Sequence, residues 1–377
     1  MQNLIDRANR NRRLLLTVVM VVVPGLIIFS AIIRVWTSES VEQYVGQEVV
    51  QSVTANWSES GHADYTSRSF TYWDDDDPAL IPSYCAACHS TLGLLDRVGE
   101  RDSSAGSVSE DMPTGTVVSC VACHNNSVHQ MQTVAFPSGD EVDVMDSEAG
   151  CLLCHQGLES TVSVNDTLAG LDDDRVDDDL EFINVHYHIA GATLMGTTAR
   201  GGYQYAGLTY DGRFEHTEDF QSCHSCHDPH HLRVDPLACS ACHVNVTEAD
   251  DLRLIRYDTT DYDGDGDIQT GIAEEIDVFH TRLLDALQSY AVEVADTPIV
   301  YDSSRHPYFF DDGEGEDRSP YSAWTPRLLR AAYNYHFVVK DPGAYAHNPR
   351  YVMQLLYDSL HDLSEQAAVD MDGLSRP

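Results

Sequence analysis

The chain is poor in basic residues and has a single lysine, Lys340. Lysine and arginine total 22 against 61 aspartates and glutamates, which gives a formal net charge of −39. Nucleic acid is therefore excluded as a partner, because binding it depends on basic side chains that neutralise phosphates. Acidic residues spread along the whole chain, with arginine in place of lysine, are typical of a halophilic protein, whose surface repulsion is screened by salt. An acidic docking face for a basic partner is the alternative.

Beyond residue 33 the sequence lacks an apolar run long enough to cross a membrane. Residues 14–33 form such a run, with no charged residue among them. Its length predicts a transmembrane helix, and an uncleaved anchor is favoured over a cleaved signal peptide because no good cleavage site follows. Four arginines precede the run, which predicts a cytoplasmic N-terminus and an extracytoplasmic remainder. We therefore expect a single-pass protein of the cell membrane.

No cysteine is left over from one repeated motif. All ten lie in five Cys-x-x-Cys-His sequences: Cys85–Cys88–His89, Cys120–Cys123–His124, Cys151–Cys154–His155, Cys223–Cys226–His227 and Cys239–Cys242–His243. Disulfides or zinc pairs do not require a histidine directly after each second cysteine. The motif is the attachment signature of c-type haem, in which the thiols bind the haem covalently and the histidine is the proximal iron ligand. We therefore predict five covalent haems c.

The order of the segments predicts a multihaem cytochrome c fold. Residues 1–37 form the cytoplasmic N-terminus and anchor, 38–60 a stalk, and 61–260 a pentahaem domain of mostly irregular chain with short helices wrapped round the haems. Apolar residues at helical spacing predict a C-terminal helical region over 276–365, packed on the haems. Thr325-Pro326 and Asn348-Pro349 are typical helix starts within it. Residues 366–377 are expected to be a loose tail, and the acidic stretch 172–179 a solvated loop.

Alternating carboxylates mark the segment 261–275 between these two regions. Asp261, Asp263, Asp265 and Asp267 resemble the first half of a calcium-binding loop, with Gly264 and Gly266 at the turns. The twelfth position is Ile272, where such a loop has glutamate, although Glu274 or Glu275 could substitute. The pattern predicts either bound Ca²⁺ or a solvated acidic turn.

Short sequences around the motifs carry a family resemblance over about residues 61–360. They include His62-Ala-Asp, Phe136-Pro-Ser-Gly, Cys154-His-Gln-Gly, His186-Tyr, Cys226-His-Asp-Pro-His and Gly343-Ala-Tyr-Ala-His-Asn. The chain resembles the extracytoplasmic multihaem c-type cytochromes, which carry electrons at or beyond the cell envelope. The resemblance implies distal iron ligands at His62, His186, His216, His230 and His347. His129, His188 and His231 are the alternative candidates for distal ligands, and His188 could take the place of His186.

Chain length restricts one of these ligands. His230 follows the proximal His227 by only three residues, which is too short to carry it round the porphyrin to the opposite face. His230, or adjacent His231, is therefore expected to bind the iron of a different haem.

Three classes of function fit these observations. The first is an electron carrier with two histidines on every iron, which would have no catalytic residue and would pass electrons from a membrane donor to an extracytoplasmic acceptor protein. The second is a reductase or dehydrogenase of a small nitrogen or sulfur species, which would keep one iron open. The third is a subunit of a haem filament. Thirteen histidines outside the motifs more than supply five distal positions, and no motif is altered, so the sequence favours the carrier.

Overall fold

The computed structural model describes residues 46–101, 104–256, 258–313 and 318–377. The chain divides into two compact units, with the boundary between Asp64 and Tyr65. In the first unit a helix, α1, covers residues 46–58 and is followed by turns. The predicted anchor, 14–33, lies outside the described residues. Among the residues that are described, no helix is both long and apolar enough to cross a membrane.

Short helices dominate the second unit as far as residue 254, as the sequence predicts. The α-helices are α2 Arg68–Thr71, α3 Ser83–His89, α4 Thr91–Arg97, α5 Cys120–Cys123, α6 Asn126–Gln130, α7 Ala149–Leu152, α8 Thr161–Leu168, α9 Ala190–Met195, α10 Cys223–Cys226 and α11 Pro236–Cys239, and two 3-10 helices cover Gly196–Thr198 and Ala249–Leu254. Polar caps start several of them, such as Ser90 at α4 and Asn125 at α6. At Gly93 a side chain would clash with the carbonyl oxygen of Ala86, so glycine allows α4 to pack directly on α3.

Three antiparallel strand pairs interrupt the helices, and the second and third of them are hairpins. They pair β1 Leu80–Ile81 with β2 Met112–Pro113, β3 Thr133–Ala135 with β4 Glu141–Asp143, and β5 Ile299–Tyr301 with β6 Phe309–Asp311. The third pair lies inside the region for which the sequence predicts only helices. Its strands carry Ile299, Phe309 and Phe310 into the core, where they contribute aromatic and aliphatic packing between the long helices.

The C-terminal region consists of three long helices and one short one. They are α12 Ile272–Glu293, α13 Pro326–Val339, α14 Ala344–His347 and α15 Pro349–Ser364. Thr325 and Asn348 cap α13 and α15 through their side chains, and each is followed by proline at the first helical position. The apolar faces of α12, α13 and α15 form the main core, which includes Phe279, Trp324 and Tyr351. The same core continues into the cysteine motifs, where it includes Ala122, Leu152 and Leu153.

The acidic stretch 172–179 is held by arginines of α13, so the prediction of a solvated loop is wrong for part of it. Asp174 accepts a hydrogen bond from Arg327 at 2.7 Å and another from the Tyr290 hydroxyl at 2.8 Å. Asp173 pairs with Arg330 at 2.8 Å. The sequence pattern missed these contacts because both partners lie about 150 positions away in the chain.

The final residues also differ from the prediction of a loose tail. Arg376 forms an ion pair with buried Asp358 at 2.8 Å, and the Ser375 amide donates to the carbonyl oxygen of Tyr262 at 2.8 Å. Ala367, Val369, Met371 and Leu374 pack against the main core. The tail therefore closes over α15 and the acidic 261–267 segment, because its few apolar and basic side chains all find partners there.

Candidate haem attachment site

Each cysteine motif forms about one turn of helix. We number the five motifs as sites 1 to 5 in chain order: 85–89, 120–124, 151–155, 223–227 and 239–243. In sites 2 to 5 the amide of the motif histidine donates to the carbonyl oxygen of the first cysteine, at 2.8 to 2.9 Å. Positions i and i+3 of a helical turn share one face, so both thiols point to the same side. None of the ten cysteines forms a disulfide.

The outer nitrogen of three proximal imidazoles is occupied by a backbone carbonyl. Nδ1 of His89 lies 2.7 Å from the Ser69 oxygen, Nδ1 of His155 lies 2.8 Å from the His188 oxygen, and Nδ1 of His227 lies 3.2 Å from the Leu232 oxygen. A carbonyl at Nδ1 fixes the proton there and leaves the lone pair of Nε2 for a metal. Burial lowers the pKa of all three imidazoles, which favours the neutral form that iron requires.

A second imidazole faces each of the five proximal rings. The distances between ring centroids are 5.9 Å for His89–His186, 6.1 Å for His124–His230, 6.3 Å for His155–His188, 6.3 Å for His227–His347 and 6.0 Å for His243–His216. An imidazole nitrogen lies about 2 Å from a metal that it binds. Two imidazoles on opposite sides of one iron therefore place their ring centroids about 6 Å apart. The five ring pairs fit five bis-histidine haems.

Sites 1 and 3 take their second rings from one short segment. His186 and His188 both have positive backbone φ angles, 80° and 52°, and Asn184 accepts the His186 amide at 3.0 Å. Such angles are uncommon outside glycine and concentrate at functional positions. They turn the two alternating side chains toward two different proximal rings. Burial, followed by the charges of His89 and Lys340, lowers the pKa of His186 to about 4.

Site 2 has two neighbouring imidazoles rather than one. The His129 ring lies 6.0 Å from that of His124, while the His230 ring lies 6.1 Å away and nearly parallel, at 8°. His230 directly follows the site 4 motif, so its ring joins the segment of site 4 to site 2. This placement agrees with the expectation that His230 serves a haem other than its own neighbour.

At site 4 the second ring contacts a carboxylate. Nδ1 of His347 lies 2.8 and 2.9 Å from the two carboxylate oxygens of Asp341. Burial opposes the charge on His347, but Asp341 outweighs it and raises the pKa of the imidazole. The bond orients Nε2 of His347 toward the ring of His227, which is the arrangement of a metal ligand with an outer carboxylate.

Four of the five predicted second ligands face a motif histidine: His186, His216, His230 and His347. His62 belongs to the first unit, and the ring facing His155 is that of the alternative candidate His188. The amides of His230 and His231 both donate to Asp228, and this fixes the turn after site 4. The short family-like sequences could not show whether His186 or His188 faces a given motif histidine. In irregular chain, the spacing of two residues does not fix the direction of either side chain.

Thiols of different motifs lie side by side. Cys88 of site 1 is within hydrogen-bond reach of Cys154 of site 3, and Cys151 of site 3 is within reach of Cys223 of site 4. Cys123 of site 2 and Cys151 are close enough for their charges to interact, as are Cys226 and Cys239 of sites 4 and 5. Site 3 is therefore the centre of the arrangement, with sites 1, 2 and 4 around it and site 5 beyond site 4.

The predicted calcium segment brings three carboxylates together. Oxygens of Asp261, Asp263 and Asp265 all lie within 4.8 Å of one another. Asp261 accepts the amides of Gly264 and Gly266 at 2.7 and 2.8 Å, and both glycines have positive φ. Asp267 instead accepts the Gln269 amide. Buried Glu275 accepts the Tyr262 amide and pairs with Arg256, so it is engaged with protein groups.

Two curated proteins of Geobacter sulfurreducens are similar to the chain. The C-type polyheme cytochrome OmcC is 27% identical over 370 residues, which cover 80% of this chain and 45% of that protein. The C-type polyheme cytochrome OmcB is 24% identical over 314 residues, which cover 74% and 37%. The comparisons support a multihaem c-type cytochrome family. Such a cytochrome holds haem c covalently and transfers electrons, as the sequence resemblance implies.

The chain spans less than half the length of the curated relatives that it matches. No family model matches the chain. No solved structure matches it.

Proposed function

We propose that the protein is a pentahaem electron carrier in which two histidines bind every iron. One observation carries the proposal: each proximal ring faces a second imidazole at 5.9 to 6.3 Å. The thiols would hold the haems covalently, and haem iron supplies the reversible one-electron chemistry. If these ten imidazoles bind the five irons, no iron would keep a position open to a substrate, which favours a carrier over a reductase with an open iron.

The haem count and the spin state test this proposal together. We expect the purified protein to contain five haems that acid–acetone does not remove, all low-spin when oxidised and unreactive with CO when reduced. A pyridine haemochrome assay and a CO difference spectrum measure both. A count of four, or one stoichiometric high-spin haem in the wild type, would contradict the carrier and support an enzyme.

The proposal also assigns the protein a location in the cell. The apolar run 14–33, preceded by arginines, would anchor the protein with its haem region on the extracytoplasmic side. Electrons would then pass from a donor in the membrane to an extracytoplasmic acceptor protein. Fractionation and protease accessibility of the intact chain test this location, since a cytoplasmic haem region would overturn it.

At site 2 we expect His230, not His129, to be the distal ligand. His129 follows the proximal His124 by only five positions, and α6 shortens this stretch to about 12 Å. That length cannot pass round the porphyrin edge and return to its centre. His230→Ala should convert one of five haems to high-spin and open it to CO, whereas His129→Ala should leave all five low-spin. Electron paramagnetic resonance of the oxidised variants distinguishes them, and the reverse pattern would assign His129.

Calcium at the 261–267 segment remains a prediction. If the clustered carboxylates bind Ca²⁺, micromolar to millimolar calcium should release heat on titration into the chelator-treated protein. Asp261→Asn should abolish that heat, because it removes charge from the residue around which the loop turns. The matched control is Asp250→Asn, on an exposed acidic stretch outside the cluster. Equal heats from both variants would indicate a solvated acidic turn.

A further inference from the structure

Two adjacent residues of opposite charge end helix α13. Lys340 is its C-cap and Asp341 follows directly. Both are buried, at 6% and 3% exposure, which is costly for a charge unless its surroundings compensate. Lys340 is also the only lysine in an otherwise strongly acidic chain. Their side chains reach two different haem sites.

Lys340 lies beside site 1. Its ammonium is 4.0 Å from the ring centre of Tyr187 and 4.1 Å from that of Tyr308, and the hydroxyls of these two tyrosines bond to each other. The ring faces stabilise the cation, and no carboxylate pairs with it among the residues that the structure describes. Burial lowers the pKa of Lys340 only to about 8, so it is charged at neutral pH.

The positive charge of Lys340 reaches the second ring of site 1. Tyr187 packs edge-on against His186 with ring centroids 5.4 Å apart, and Lys340 contributes to the lowered pKa of His186. Arg97 adds a second positive charge near Cys88 of the same site. A fixed cation beside an iron disfavours its oxidised, more positive state, because the interior screens charges poorly.

Asp341 acts on site 4 with the opposite sign. It accepts Nδ1 of His347, the ring that faces His227. Burial lowers the pKa of His227 and of His155 of site 3, and the charge of Asp341 offsets part of both shifts. A carboxylate on the outer nitrogen makes an imidazole a stronger donor and stabilises the oxidised metal. The other nearby acid, Glu148 beside Cys223, is neutralised by Arg213 at 2.7 Å. Asp341 is therefore a buried carboxylate that acts directly on a ring of site 4.

We infer that Lys340 raises the reduction potential of site 1 and that Asp341 lowers that of site 4. This inference rests on the proposed carrier function. The thiol contacts place site 3 between the two sites, so the pair makes electron transfer favourable from site 4 through site 3 to site 1. One short stretch of chain, positioned by the end of α13, thus gives the relay its direction.

The test is a redox titration of the haem-loaded full chain, with the potential of each site followed by NMR of its haem methyl groups. Contacts with Tyr187 assign site 1, and contacts with Thr193, which bonds Asp341, assign site 4. Lys340→Met should lower the potential of site 1. Lys340→Arg keeps the charge and should leave this potential near the wild-type value. Asp341→Asn keeps an acceptor for His347 and should raise the potential of site 4.

Matched controls separate a local effect from a change in net charge. Arg282→Gln and Asp370→Asn remove the same charges from a pair of half-buried Arg282 and exposed Asp370, and should leave both potentials in place. The inference is overturned if the controls shift the potentials as much, or if either test variant shifts its site in the opposite direction or not at all. The spin states of the wild-type haems are measured first. If all five are low-spin, failure of the charge inference does not contradict the proposed carrier function.

Discussion

Replacing His188 by glycine is expected to open the haem at site 3 and to interrupt the relay at its centre. The ring of His188 faces that of His155, and site 3 contacts the thiols of sites 1, 2 and 4. Glycine accepts the positive φ of this position without strain, and its carbonyl still binds Nδ1 of His155. The haem should stay attached, become high-spin and bind CO, with a raised potential that traps electrons.

Optical and electron paramagnetic resonance spectra measure the new high-spin haem, and stopped-flow reduction measures the slower passage of electrons. The matched control is His361→Gly, an exposed residue of α15 outside the ring pairs. Its spectrum should equal that of the wild type. An unchanged low-spin spectrum in His188→Gly would show that another side chain binds the iron of site 3.

Removing Arg327 is expected to destabilise the second unit by about 3–5 kcal/mol. The guanidinium is 6% exposed and pairs with Asp174 at 2.7 Å, with Glu365 at 3.0 Å, and with Asp362. In Arg327→Met the methionine replaces the apolar stem of the arginine but not its charge. Largely buried Asp362 then loses one of its two counter-charges and keeps only Arg330, which is 3.4 Å away. The loss arises from the carboxylates that are left without compensation.

Denaturant unfolding of the haem-loaded protein measures this loss, followed by tryptophan fluorescence of buried Trp324. Arg253→Met is the control, because its pair with Asp277 is exposed and such pairs contribute about 1 kcal/mol or less. Equal losses in the two variants would mean that the Arg327 cluster gives no more than a surface pair.

The attachment motifs were predictable because covalent chemistry fixes the spacing of two thiols and one imidazole within a single helical turn. The C-terminal helices were predictable because apolar periodicity and Thr-Pro or Asn-Pro starts are local signals. The pairing of rings was not, since His347 and His227 come from distant segments whose approach depends on the whole fold. The roles of Lys340 and Asp341 were hidden for the same reason, as adjacent residues reach different sites.

The β5–β6 hairpin and the Arg327 contacts show a second limit. Strands of three residues give too little alternation to be distinguished from loop, and here they lie between two strong helical patterns. The sequence predicts a solvated loop for an acidic run because it does not show which distant basic residues contact it. In the structure Asp173 and Asp174 both bind arginines of α13. Long-range contacts, rather than local propensity, decided both cases.

The distribution of the ring pairs along the chain sets an order of maturation. Synthesis delivers a chain from its N-terminus, so four of the five ring pairs, including His216–His243 of site 5, are present once residue 243 has emerged. Site 4 has its cysteines and His227 at the same stage, but His347 emerges only after α12 and α13. If site 4 binds haem as proposed, a chain that ends before His347 would carry an attached haem whose iron has one open position. Residues 244–347 would then close that iron last in the biogenesis of the protein.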